Sequence, residues 1–137
     1  MVDVEDVNRF ERLFKGQLEK LKRADIHESD RKAIIEFIQA QEAGGTIARS
    51  TLTGRINRLR LAAERADTPL VEMEHTDVNG LLFSLRHDHD LSEGTLRNYR
   101  KALRLFYRHR GVDWADDIEV GASPSASRTV DPSELLD

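Results

Sequence analysis

Between Ser92 and Arg110 the chain reads SEGTLRNYRKALRLFYRHR, and the spacing of its apolar residues suits one kind of regular structure. Leu96, Tyr99, Leu103 and Phe106 recur at steps of three and four, the repeat that places side chains on one face of an α-helix. Arg97, Lys101, Arg104 and Arg108 form a second stripe at the same period. Core face and ligand face are therefore separate, and whatever folds here must bury the first stripe while leaving the second to solvent or to an anion. The stretch holds six cations, Arg100 and Arg110 included, against Glu93 alone, a net of +5 within a chain whose total is −4. A local excess opposed to the global sign points to a ligand.

At 137 residues the chain has room for one domain with a modest core. Hydrophobic residues are 39% and charged residues 34%, the balance of a strongly solvated helical protein rather than a disordered tail or a membrane protein. No apolar run approaches the roughly 18 residues that cross a bilayer. The acidic start MVDVEDVNRF lacks the basic and apolar regions of a secretory leader, so a cytoplasmic setting with no membrane partner is expected. The absence of cysteine removes disulfides, thiolate metal sites and a cysteine nucleophile. Acids outnumber bases 25 to 21 and Arg outnumbers Lys 16 to 5, a composition that resembles proteins of salt-loving archaea and also fits an ordinary acidic bacterial protein. The distinction matters because phosphate contacts weaken steeply with salt.

Helical spacing continues upstream. Val7, Phe10, Phe14, Leu18 and Leu21 predict a long first helix from Val4 to about Arg23. Ser29 is the expected N-cap of a second helix that buries Ile34, Ile35, Phe37 and Ile38 and stops at Gly44 and Gly45. A third starts near Ser50, with Ser50, Thr51 and Thr53 offering capping oxygens, and runs through Leu52, Ile56, Leu59 and Ala63 to about Arg65, where Asp67, Thr68 and Pro69 break it. Thr76, Asp77 and Val78 open a fourth, which buries Val78, Leu81, Leu82 and Leu85, and Ser92 caps the fifth. No segment alternates as a strand does, so the expected fold is all-α: a compact bundle of four to five helices with an extra N-terminal helix.

The third helix repeats the charge logic of the fifth. Arg49, Arg55, Arg58, Arg60 and Arg65 against Glu64 give +4, and Thr51, Arg55, Arg58, Ala62 and Arg65 share a face displaced from the apolar one. The two basic helices carry +9 together, which leaves −13 for everything else. Cations gathered where phosphates would lie, with acids elsewhere, are the electrostatic footprint of a nucleic-acid-binding surface. Either stripe alone is equally a solvated helix face. Tyr99 and Phe106 could stack on bases, but their place on the apolar stripe assigns them to the core.

Other chemistries find little footing. His87, Asp88, His89 and Asp90, with His75, alternate in a pattern that fits no common helical metal motif, so they read as a polar loop and neither metal nor cofactor is expected. The acidic pairs Asp116 with Asp117 and Glu72 with Glu74 lie in surface segments. There is no P-loop, nucleophile elbow or dinucleotide fingerprint, and no catalytic residue is assigned. After Gly111 the chain turns acidic, with a net charge of −6 over residues 112–137, and includes a Gly, Ser, Ala and Pro stretch of linker type. Asp131, Pro132, Ser133 and Glu134 then resemble the start of another helix, which leads to the expectation that the chain is the front of a longer protein.

This order of parts resembles the N-terminal core-binding domain of the tyrosine recombinases, the phage integrase family. The resemblance rests on a four-helix unit over residues 28–111 that ends in Ser92-x-x-Thr95-Leu96-x-x-Tyr99-x-x-x-Leu103-x-x-Phe106, followed by a linker and Pro132-Ser133-Glu134-Leu135-Leu136. It implies a SAM-like helical domain forming half of a C-shaped clamp around duplex DNA, with the family's catalytic residues in a domain beyond the linker. Residues 1–27 depart from the family's minimal pattern as an added helical extension, assigned to contacts between protomers, and 112–137 are then an acidic linker with the start of the catalytic domain. The third and fifth helices would face DNA through Arg49, Thr51, Arg55, Arg58, Ser92, Thr95, Arg97, Arg100, Lys101, Arg104 and Arg108. Ser92 and Thr95 would stand at a helix N-terminus that favours a phosphate, a place they can hold while acting as ordinary caps.

Two functions compete on this reading. In the first, the chain is the DNA-binding module of a site-specific recombinase, active in integration and recombination, with about six to eight cationic contacts and a salt slope of about −0.9 for each. An isolated module would then bind weakly in salt and depend on a tethered catalytic domain and neighbouring protomers. In the second, it is a helical interaction or regulatory module whose basic faces meet an acidic partner, its own tail included.

Overall fold

The computed structural model describes residues 4–120, and in them the backbone is helical with no strand. Five α-helices follow in order: α1 (Val4–Arg23), α2 (Glu28–Gly44), α3 (Arg49–Arg65), α4 (His75–His87) and α5 (Glu93–His109). Short 3₁₀ turns occur at Leu70–Glu72 and Ala115–Asp117. The expected helix beginning near Pro132 and the Gly/Ser/Pro stretch lie outside the described residues.

Most of the apolar residues predicted from spacing meet in one core, but Phe10 of α1 is exposed, and Ile35 and Leu82, expected to be buried, are only half-buried at the edge of it. Leu21, Ile34, Phe37, Leu52, Ile56, Leu59, Leu85, Leu96, Leu103 and Phe106 are all buried. Each such side chain contributes about 1.5–3 kcal/mol relative to exposure, before the cost of ordering the chain. Tyr99 is buried with them, in accord with its place on the apolar stripe. Ala62, placed by spacing on the basic face of α3, is fully buried. A methyl is small enough to sit where two helices approach, so the basic face of α3 is narrower than its sequence pattern.

Helix ends follow the expected residues in part. Ser92 caps α5, its Oγ accepting the Thr95 N–H at 3.2 Å, and Gly45 ends α2 in the left-handed region at φ 73°. The start of α2 differs: His27 holds the N-cap position and Ser29 lies inside the first turn. The start of α3 differs as well, because Ala48 is its N-cap and no side chain caps it. Thr53 turns back instead, its hydroxyl donating to the Arg49 carbonyl at 2.8 Å. Helix α4 opens one residue before Thr76, with the Asp77 carboxylate accepting the Glu74 N–H at 2.9 Å.

Helix α1 is stitched into the bundle. It packs mainly along α3, with Phe14 and Leu21 buried. The last carbonyls of a helix lack intrahelical partners, and Arg31 of α2 supplies them, its Nη1 donating to the Leu21, Lys22 and Ala24 carbonyls at 2.7, 3.0 and 3.2 Å. Arg49 of α3 lies over the Phe14 ring, 4.3 Å from its centroid, and pairs with Glu11 of α1 and Glu42 of α2.

The loop between α3 and α4 is fixed from two sides. Asp30, 1% exposed, accepts the Leu70 and Val71 N–H groups at 2.8 and 3.0 Å, while the Tyr107 hydroxyl donates to the Leu70 carbonyl at 2.8 Å. Burial pushes the Tyr107 phenol well above its usual range. Residues 112–118, which composition assigns to the linker, also pack on the bundle: Ala115 and Ile118 are buried, and Trp114 lies against Tyr107 and stacks on His75. A packed segment thus continues past Gly111 to Ile118. No helix among the described residues is long and apolar enough to cross a membrane.

Candidate nucleic-acid interface

Helices α3 and α5 pack against one another, so their polar flanks share a groove. A cleft of about 150 Å³ opens there, lined by Ser50, Thr51, Gly54, Arg55 and Arg58 of α3 and by Asn98, Lys101 and Ala102 of α5. Three cations line it and no acid does. Ser50 and Thr51 come from the first turn of α3, the turn that no side chain caps, so hydroxyls and the helix's positive end lie beside the cations.

The electrostatics of the cleft are distinctive. Arg55 donates to Gln41 of α2 at 2.5 Å, a neutral partner that positions the guanidinium without cancelling its charge. Burial alone lowers the Arg55 pKa, the mark of a partly desolvated cation with no carboxylate beside it. Arg49, two turns earlier on the same helix, shows the opposite: the hydrogen bonds it donates to Glu42 and then to Glu11 raise its pKa. Arg58 and Lys101 have no ionic partner among the described residues, and neither does Arg97, whose buried Nε also lacks a hydrogen-bond acceptor there.

The remaining cations of the predicted surface are engaged within the chain. Arg49 is held by Glu11 and Glu42. Arg100 pairs with Glu93 at 2.6 Å, and that hydrogen bond holds the Glu93 carboxyl below its usual range. Arg108 donates to Asp116 through Nη2 at 2.6 Å and Nε at 3.0 Å, with Arg104 at 3.7 Å from the same oxygen. The hydrogen bond from Arg108, then its charge, depresses the Asp116 pKa. Ser92 and Thr95 cap α5 by bonding to each other, hydroxyl to hydroxyl at 3.0 Å as well as through the backbone.

Of the eleven residues read from sequence as a DNA-facing set, the cleft therefore gathers Thr51, Arg55, Arg58 and Lys101, and Arg97 stands one helical turn from Lys101. Periodicity alone did not single out Ser50, Gly54 and Asn98. Asn98 lies three residues before Lys101, the helical neighbour position, and that spacing could have found it. The His87–Asp90 cluster has local contacts instead: His87 lies against Phe83 at 4.3 Å and Asp88 accepts from Ser84 at 2.9 Å. Among the described residues, no group of three or more His, Asp or Glu side chains is arranged to hold a metal ion. No family model, curated protein or solved structure matches the chain.

Proposed function

We propose that this chain grips duplex DNA through the α3–α5 cleft and serves as the non-catalytic clamp domain of a site-specific recombinase, partnered by the catalytic domain of a longer chain and by other protomers on the DNA. The observation that carries the DNA reading is the cleft itself: Arg55, Arg58 and Lys101 converge with no acidic lining residue in a chain of net charge −4. An arginine fork fits both phosphate oxygens and the O6/N7 edge of guanine, so the cleft can position a backbone and read a base beside it. The recombinase part is supported by the helix order and the Ser92-capped final helix on which the family resemblance rests. It is tested by the coding sequence past codon 137: a continuing frame with a catalytic Arg, a His-x-x-Arg motif and a late Tyr supports it, and a stop codon rejects it.

The DNA part is tested by a salt titration of duplex binding. Arg55, Arg58, Arg97 and Lys101 are the interface cations without a carboxylate partner among the described residues, and four such contacts give a slope of log K against log salt of about −3.6 rather than the roughly −5.4 to −7.2 of six to eight contacts. A second reading, a module for an acidic protein partner, is favoured by the contact of Asp116 with Arg104 and Arg108, since that part of α5 already accepts a carboxylate. Absence of duplex binding at low salt would select it.

A further inference from the structure

Resting on the DNA reading above, we infer that Gly54 is a positioning residue whose missing side chain lets the Arg58 guanidinium lie back across α3 and into the cleft. Glycine in a helix interior is unfavourable, because it exposes backbone and has the most conformational freedom to lose. Its presence in the middle of α3 therefore asks for a compensating reason. A Cβ built at Gly54 would stand 2.6 Å from Arg58 Nη1 and 3.9 Å from its Cζ, and it would meet nothing else within 4 Å. No helix or loop backbone approaches Gly54 closely, so core packing does not require it.

The other glycines inside helices make the contrast. Gly16 in α1, Gly80 in α4 and Gly94 in α5 face open space, with no atom within 4 Å of a built Cβ. Helical side chains lean toward the helix N-terminus and meet the residue four earlier, so Arg58 naturally overlies position 54. Gly54 and Arg58 both line the cleft. With alanine at position 54 the arginine must leave this pose, and its fork is displaced from the place it holds in the cleft with Arg55 and Lys101.

The test is a double-mutant cycle on the full chain, with Gly54→Ala, Arg58→Ala and the pair, read by duplex binding, thermal melting and the NMR signal of the Arg58 Nε–H. Gly54→Ala should raise the melting temperature by about 2–5 °C through helix propensity alone. It should weaken duplex binding about fivefold and flatten the salt slope by about 0.9, the share of one phosphate contact. In the Arg58→Ala background the same change should leave affinity unaltered. Gly80→Ala, outside the cleft, should also raise the melting temperature without altering binding. Unchanged affinity for Gly54→Ala, an equal loss with and without Arg58, or a lowered melting temperature would overturn the inference. If the unaltered chain fails to bind duplex, the DNA reading falls by itself. The Nε–H signal then decides the positioning claim: a shift on Gly54→Ala upholds it and an unmoved signal overturns it.

Discussion

Lys101 and Arg108 lie two turns apart on one face of α5, yet their electrostatic surroundings are opposite. Lys101 opens into a cleft with Arg55 and Arg58 and no acid, whereas Arg108 is held with Arg104 by Asp116 from the packed segment that follows the helix. A stripe that is uniform in sequence is thus divided in the fold into an unneutralised half and a self-paired half. Helical period establishes which cations share a face, while tertiary structure decides which of them keep their charge available for a ligand.

The largest effect that would sharpen this comparison comes from the cleft. Replacing Arg58 and Lys101 together by Ala should weaken duplex binding at least about a hundredfold, since a hydrogen bond to a charged group contributes about 1.5–3 kcal/mol and two are removed. Fluorescence anisotropy with a short labelled duplex measures it, and a loss below about threefold would break the distinction between the halves. A smaller effect in the opposite direction is expected at the paired half. Asp116→Asn frees Arg104 and Arg108 and should tighten duplex binding about twofold to threefold, with almost no change in melting temperature because the ion pair is exposed. The acid side of this contact has a definite sign. The Asp116 pKa is depressed by Arg108, so the contact is fully present above the usual carboxylate range and is released only as pH falls through the lowered value. Duplex affinity measured from pH 8 down to 4 should therefore show no step from this pair, whereas a step that sets in within the usual carboxylate range would indicate that the carboxylate is not held.

Much of the helical framework was legible because it rests on local rules. The 3.6-residue repeat identified the buried faces of α3, α4 and α5, and Ser92 gave the start of α5 by the hydrogen bond its hydroxyl makes to Thr95. The start of α3 lay within one residue of its expected place, but its cap differed: none of Ser50, Thr51 and Thr53 holds the N-cap position, and Thr53 satisfies a carbonyl inside the helix rather than an N–H at its end. What local rules cannot supply is pairing across the chain. Asp30 reaches the Leu70 and Val71 amides from forty residues away in sequence, and Tyr107 reaches the Leu70 carbonyl from the other side. The 112–118 segment was missed for a similar reason: its apolar residues, Val112, Trp114, Ala115 and Ile118, are too few among acids to establish a period, yet each finds a place against the bundle. Within the candidate site, the types and faces of the basic residues were readable from the sequence. Their division between Glu11, Glu42, Glu93 and Asp116 on one side and an open cleft on the other was not.

On the proposed reading an anionic duplex enters at the α3–α5 cleft and not along the whole of α5. The most direct measurement is an NMR titration of ¹⁵N-labelled protein with a short duplex at low salt. The backbone amides of Ser50, Thr51, Gly54 and Asn98 should shift together and saturate at one duplex, while those of Ala115 to Ile118 stay in place. Shifts concentrated at Asp116 and the C-terminal turn of α5, with the cleft amides unmoved, would contradict it.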